Sequence, residues 1–287
     1  MCIINVNDMN KKVLEGKLLR MVEEDLGSGD ITTEFTPRKR VRAEIISNND
    51  CIVSGIYELR TLFNLFNIEV LESVNDGDKV KKREKIFILS GDSNDILLIE
   101  RTALNILSRM SGITTLTSEF IRRAKRINPE IRVAATRKTT PLFGYFEKRA
   151  VRIAGGDPHR SGLYDLVLIK DNHLKLFKNV REAIRMAKRK TSFTHKIEIE
   201  VNNVKDAVTS AEEGADIIML DNMSVEEVKD AVSRLREKNL REKVILEVSG
   251  GITIDNISDY SRLGVDVISI GRLTHSAPAQ DFSLKIL

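Results

Sequence analysis

The sequence contains no tryptophan, and aromatic residues make up only 5% of its 287 positions. A hydrophobic core must therefore be built mainly from aliphatic side chains. Cysteine is nearly absent, with Cys2 and Cys51 the only two. Two thiols in a chain of this length give no disulfide framework, and a reducing, cytoplasmic setting is the expectation. Long apolar runs are missing as well. The run from Ile96 to Ile99 stops at Glu100 and Arg101, far short of the ~20 residues that span a bilayer. Residues Met1 to Asn10 mix polar and apolar side chains and lack the apolar region of a secretory signal. Neither a Walker phosphate loop nor a Gly-x-Gly-x-x-Gly loop occurs. No His/Cys cluster has zinc spacing, and no nucleophile elbow is present. One-signed charge is also scarce: 46 basic against 42 acidic residues leave a net charge of +4. That excess is too small to indicate nucleic acid, although a local basic site for an anionic substrate stays open.

With 41% apolar and 31% charged residues, the chain is globular in composition. Its length fits one large domain or two ordinary ones. Two textures divide it. From Lys11 to Asp92 the pattern is a helix followed by short strands. Val41 to Val53 and Lys85 to Ser90 are rich in β-branched residues, and Asn75-Asp76-Gly77-Asp78 reads as a turn between them. A helix is predicted over Asp95 to Met110, where Ile96, Ile99, Ala103, Ile106 and Met110 recur at helical spacing. Leu97, Leu98, Leu104 and Leu107 add apolar surface on its other sides, so the helix is expected to be buried on more than one side. Arg101 within that surface requires a partner: a salt bridge, or a functional role at a subunit boundary.

From Arg132 onward strands and helices alternate. Six apolar runs are Arg132–Ala135, Leu166–Ile169, Ile197–Val201, Ile217–Leu220, Ile245–Val248 and Val265–Ile270, and each ends in or leads to a polar cluster. Between them, Val204, Ala207, Val208 and Ala211 make one helix face before Gly214. Ser224 and Glu227 form a capping-box pattern, and Ile254 and Ile257 precede Gly264. Repeated βα units of this kind predict a parallel barrel or a doubly wound sheet. In a barrel the active site is built at the C-terminal strand ends.

The stretch Lys196-Ile-Glu-Ile-Glu-Val-Asn202 is the most informative. Alternation places Ile197, Ile199 and Val201 on one face and Glu198 and Glu200 on the other. In a barrel both carboxylates would point inward; on an edge strand they would be solvated. The strand ends would bring together Arg137, Lys138, His159, Arg160, Lys170, His173 and Arg272 with the carboxylates of Glu200 and Asp221. Ser249-Gly250-Gly251 and Ile270-Gly271-Arg272 follow the last two strands, where barrels often bind phosphate. A helix is expected to begin near Thr253. The site thus suits a polyanion, and its two carboxylates suit Mg²⁺. Ser-Gly-Gly is also a common structural turn, Lys170 could simply snorkel, and His195 reads as a surface residue.

The strings Glu100-Arg-Thr-Ala-Leu-Asn105, Thr136-Arg-Lys-Thr-Thr-Pro141, His159-Arg160, Leu168-Ile-Lys-Asp-Asn-His173, Leu220-Asp-Asn222, Ser249-Gly-Gly-Ile252 and Leu273-Thr-His-Ser276 resemble quinolinate phosphoribosyltransferase, in order, from Glu24 to the C-terminus. The resemblance implies an α/β protein with an N-terminal α/β sandwich over residues 1–110, joined by 276–287, and an incomplete TIM-like α/β barrel over 111–275. It implies phosphoribosyl transfer from phosphoribosyl pyrophosphate to quinolinate with decarboxylation, Mg²⁺ as cofactor, and a homodimer in which Arg101 crosses to the neighbouring site. By the same resemblance Arg101, Arg137, Arg160 and Lys170 hold the quinolinate carboxylates, and Thr136, Lys138 and His159 shape their pocket. Glu200 and Asp221 face ribose and metal, directly or through water. Ser249, Gly250, Gly251, Ile270, Gly271 and Arg272 surround the 5′-phosphate. The catalytic set implied is Lys138, Lys170, Glu200 and Asp221.

Three positions depart from the family pattern: Pro158 stands where Asn is frequent, Gly144 where Arg is frequent, and Arg272 where a small residue is usual. Other readings are a sister enzyme using nicotinate or another pyridine-like acceptor, and a Schiff-base aldolase with Lys170 as nucleophile. The turn-and-strand rhythm of Asn75 to Gly91 suggests a lipoyl-type carrier, but Lys81, Lys82 and Arg83 lack a carrier's acceptor context.

Overall fold

The structure, a computed structural model, describes residues 9–287. Cys2 and most of the N-terminal segment read for a secretory signal lie outside the described residues. The chain divides into two compact units, Met1–Thr115 with Pro278–Leu287, and Leu116–Ala277. The expected division stood a few residues earlier, at 110/111 and 275/276.

The first unit opens with α1 (Lys11–Leu26), whose N-cap Asn10 accepts a hydrogen bond from the Lys12 amide. It buries Leu14, Leu18 and Val22, one stripe at four-residue spacing. A four-stranded antiparallel sheet runs in the order β12 (Phe282–Ile286), β1 (Arg40–Ser47), β5 (Lys85–Asp92), β3 (Glu69–Ser73). The C-terminal strand therefore completes a sheet begun near the N-terminus. The single strand expected over 41–53 is broken after Ser47, whose hydroxyl turns back to donate to the Asn49 carbonyl at 2.7 Å. The chain resumes as β2 (Cys51–Ile52), paired with β4 (Lys79–Val80). Next comes α2 (Ile56–Leu65), which buries Leu59, Leu62 and Phe63. The Phe63 ring meets Phe87 of β5 edge to face at 5.1 Å.

The helix expected to end at Met110 continues as α3 (Ser93–Ile127). Past Met110 the buried face mixes the apolar Ile113, Phe120 and Ala124 with the small polar Ser111, Thr114 and Thr117. Ser111 and Thr114 are fully buried. The Ser111 hydroxyl accepts from the Ser54 amide at 3.1 Å, and Thr114 Oγ1 donates to Ser54 Oγ at 2.7 Å. A Cβ on Gly112 would lie 2.1 Å from the Pro278 carbonyl oxygen, so only glycine allows that approach. Arg101 is exposed on this helix and makes no ion pair with any described residue, so of the two readings the salt bridge within the chain is not met.

The second unit is built on six parallel strands: β6 (Arg132–Ala134), β7 (Val167–Ile169), β8 (Ile197–Val201), β9 (Ile217–Asp221), β10 (Ile245–Ser249) and β11 (Val267–Ser269). All six lie within a residue or two of the runs read from the sequence. Their spatial order is β6-β11-β10-β9-β8-β7, so the first strand lies beside the last. Asp157, between β6 and β7 in the chain, bridges Ala134 on the side of β6 away from β11. The sheet thus curls into an incomplete barrel. Connecting helices are α4 (Gly144–Ile153), the single turn α5 (Asp171–Leu174), α6 (Val180–Lys190), α7 (Val204–Glu212), α8 (Val225–Glu237), α9 (Ile257–Ser261) and α10 (Arg272–His275). The expected helix start near Thr253 is displaced: Thr253 and Asn256 exchange hydrogen bonds in a turn, and α9 begins at Ile257. Among the described residues no helix is long and apolar enough to cross a membrane.

Ser224 and Glu227 form the capping box read from the sequence. The Glu227 carboxylate accepts from the Ser224 amide at 2.8 Å, and Ser224 Oγ accepts from the Glu227 amide at 3.3 Å. Ser224→Ala should cost about 1 kcal/mol, read as a fall of roughly 2–4 °C in the melting temperature with kcat unchanged. An unchanged melting temperature would show that the cap contributes nothing.

Candidate active site

Strand β8 lies between β7 and β9, so it is no solvated edge. Ile197, Ile199 and Val201 are buried on its outer face. Glu198 and Glu200 take the other face, toward the interior of the barrel. Beyond the C-terminal strand ends opens a cavity of about 530 Å³. Every candidate read from the second unit except His173 lines it. Thr136, Arg137 and Lys138 follow β6; His159 and Arg160 come from the loop before β7; Lys170 follows β7. Glu200 and Asp221 close β8 and β9. Ser249, Gly250 and Gly251 follow β10, and Ile270, Gly271 and Arg272 follow β11. Arg101, in the first unit, is not among the lining residues, and His173 lies behind Lys170, its Nδ1 accepting from the Lys170 amide at 2.9 Å. His195 is exposed, as read.

The cationic wall is carried by two loops. In the first, Thr136 Oγ1 accepts from the Lys138 amide at 3.1 Å, and Thr274 Oγ1 donates to the Lys138 carbonyl at 2.7 Å. The buried Glu147 of α4 accepts from the Thr140 amide and hydroxyl at 2.9 and 3.0 Å. In the second loop His159 takes a left-handed backbone (φ 54°), and its amide donates to Asp157 Oδ1 at 2.7 Å. Lys148 of α4 donates to the carbonyls of Pro158 and Arg160. Arg160 is only 8% exposed, and burial followed by the charge of Arg137 depresses its pKa. A guanidinium packed this way is ready for an anion that neutralises it.

Below this wall sit two carboxylates. Glu198 and Glu247 are buried, and His159 Nε2 lies 3.7 Å from Glu198 and 3.3 Å from Glu247. Burial raises the Glu198 pKa. For His159, burial opposes the charged form and the carboxylates of Glu198 and Glu247 favour it. The Arg160 amide works against that, because it donates to His159 Nδ1 at 2.7 Å and a doubly protonated ring offers no acceptor there. Both contacts are satisfied together by the neutral ring with its proton on Nε2. That geometry weighs more here than the carboxylates' pull. Glu247 was not singled out from the sequence. Its signal was there: in Ile245-Leu-Glu-Val-Ser249 it shares a face with Ser249, as Glu198 does with Glu200.

The opposite wall carries Glu200, paired with Lys170 Nζ at 2.5 Å, and Asp221, which accepts from Asn222 Nδ2 at 2.8 Å. Among the described residues each carboxylate keeps one oxygen without such a partner. Hard oxygen donors in this number fit Mg²⁺, which binds through one or two carboxylates and keeps water and phosphate ligands. The atoms of His159, Glu198 and Glu247 also lie within 4.8 Å of one another, but the ring's Nε2–H directed at Glu247 serves as a donor and not as a ligand. The double-glycine loop needs its glycines: Gly250 has φ 87°, and a Cβ there would lie 2.3 Å from Asn222 Oδ1 and 2.8 Å from the Asn222 amide. With Gly251 also at positive φ, this backbone can bring amides close to an anion.

The quinolinate phosphoribosyl transferase C-terminal domain matches residues 113–285 and its N-terminal domain residues 30–111. A probable carboxylating nicotinate-nucleotide pyrophosphorylase of Archaeoglobus fulgidus is 49% identical over 90% of this chain and 98% of its own length. One of Methanothermobacter thermautotrophicus is 46% identical over 93% and 96%. The structure of nicotinate-nucleotide pyrophosphorylase from Francisella tularensis superposes with a TM-score of 0.89 at 33% identity, covering 98% of each chain. With both domains matched along nearly its whole length and the strand-end cavity in place, the chain belongs to the quinolinate phosphoribosyl transferase family.

Proposed function

We propose that the protein transfers the phosphoribosyl group of phosphoribosyl pyrophosphate to quinolinate with loss of carbon dioxide, giving nicotinate mononucleotide and pyrophosphate. The observation that carries this reading is one cavity with a cationic wall of Arg137, Lys138 and Arg160 facing two carboxylates and two glycine-bearing loops. A dianion matches the cations, since guanidinium forks take carboxylates through paired hydrogen bonds. The glycine loops take the 5′-phosphate, aided by Arg272. Glu200 and Asp221 face the ribose, where they stabilise the positive charge that develops as the glycosidic bond to pyrophosphate breaks. The pyridine nitrogen forms the new bond to that carbon. Its positive charge then lets the adjacent carboxylate leave as carbon dioxide, and the electron pair left on the ring carbon takes up a proton. Lys138 and Lys170 hold positive charge beside the departing groups. Mg²⁺ near Glu200 and Asp221 would neutralise pyrophosphate.

The active form is a homodimer in this reading, with the exposed Arg101 of one protomer completing its neighbour's acceptor pocket. The buried free thiol of Cys51 suits a reducing cytoplasm. Quinolinate labelled in the carboxylate next to the ring nitrogen tests the reaction. Carbon dioxide should appear one for one with pyrophosphate, and only when phosphoribosyl pyrophosphate is present. Pyrophosphate without carbon dioxide would reject the decarboxylating reading.

A further inference from the structure

Lys148 takes no part in the chemistry above, yet it is only 7% exposed in the middle of α4. Its ammonium donates to two backbone carbonyls, those of Pro158 and Arg160, the latter at 2.7 Å. These flank His159, whose left-handed backbone is uncommon for a residue with a side chain. The turn's other backbone ties are local, the His159 amide on Asp157 and the Arg160 amide on the His159 ring, while the ring itself reaches Glu247 at 3.3 Å. The neighbouring Glu147 holds the other cation-bearing loop at Thr140. Consecutive residues of one helix thus fasten both loops of the cationic wall.

We propose that Lys148 is a positioning residue for the acceptor, fixing the turn that aims His159 and Arg160 into the cavity. The proposal rests on the quinolinate reading. A residue kept for packing alone would not carry a charge here. The charged groups facing Lys148 are Asp157 and Asp165, which favour its cation, and Arg137 and Arg160, which oppose it. Burial dominates, and the pKa falls to about 8. The two consequences of that value run in opposite directions. The folded pKa lies below the unfolded one, so from about pH 8 to the ordinary lysine range the unfolded chain binds more protons. This group's contribution to stability therefore rises with pH in that window. Its grip on the two carbonyls weakens over the same window, because charge-assisted hydrogen bonds are stronger than neutral ones.

The test compares the wild-type enzyme with Lys148→Met and Lys148→Arg. It measures quinolinate Kd by calorimetry without phosphoribosyl pyrophosphate, KM for both substrates, kcat and melting temperature. Lys148→Met should raise quinolinate Kd and KM on the order of 10-fold, with the phosphoribosyl pyrophosphate KM within twofold. Lys148→Arg should recover part of the loss. Quinolinate is a dianion throughout pH 7–9.5, so wild-type affinity should fall above about pH 8, and the methionine variant should lack that fall. Equal losses for both substrates, or wild-type quinolinate affinity in the methionine variant, would overturn the proposal. If neither variant folds, a wild-type quinolinate Kd that stays flat across this pH range would overturn it, and a fall above pH 8 would support it. Failure of the wild-type enzyme to bind quinolinate at all would instead remove the acceptor reading on which the proposal stands.

Discussion

Glu200→Gln is expected to lower kcat by about 10²–10³ while changing the KM of either substrate far less. The substitution keeps the shape of the side chain and removes its charge. In the wild type that charge is fixed before any substrate arrives, because Lys170 Nζ holds Glu200 Oε1 at 2.5 Å. A fixed carboxylate needs no reorganisation when positive charge develops on the ribose, which is why such a group acts on the barrier more than on ground-state binding. The glutamine also leaves the Lys170 charge unbalanced beside the same centre, and this works in the same direction. Steady-state kcat and KM for each substrate check it. A kcat within threefold of wild type would remove Glu200 from the catalytic set.

Arg160→Met should weaken quinolinate binding by about 10²–10³, the loss of two charge-assisted hydrogen bonds, without lowering the melting temperature. The second half of that expectation comes from the free protein. Arg160 is buried, and burial and then Arg137 disfavour its charge by more than Glu198, Glu200 and Asp165 favour it. A buried cation of this kind is a cost until its anion arrives. Removing it relieves the empty site and impairs the occupied one. Calorimetric titration with quinolinate and a thermal melt on the same sample give both halves. A fall in stability with unchanged affinity would make Arg160 a structural residue.

How much of this was legible in the sequence depended on the kind of residue. The six barrel strands were clear because parallel strands buried on both faces appear as short apolar runs such as Ile217-Ile-Met-Leu220. Most of the cavity lining came from the polar ends of those runs, because the barrel gathers strand ends at one mouth, although Asn202 and Asn203 do not reach it and His159 and Arg160 come from a loop. The second half of α3 was missed although Ile113, Phe120 and Ala124 carry an apolar stripe onward, because Ser111, Gly112 and Thr114, which pack by hydrogen bonds and close approach, interrupt it just past Met110. The break after Ser47 was signalled by Asn48-Asn49-Asp50, a turn-forming cluster that the reading of one strand over 41–53 passed over, and Ser47 Oγ donates to the Asn49 carbonyl within it. Glu147 and Lys148 were not singled out from the sequence. Their burial depends on two loops that meet α4 only in three dimensions.

The most direct test of the central claim is an acceptor comparison with purified protein, Mg²⁺ and phosphoribosyl pyrophosphate, supplying quinolinate or nicotinate and following mononucleotide and carbon dioxide. The cationic wall predicts nicotinate mononucleotide with an equal amount of carbon dioxide from quinolinate, and little or no product from nicotinate. Product from nicotinate alone would contradict it, and would show that the wall of Arg137, Lys138 and Arg160 does not select a second carboxylate.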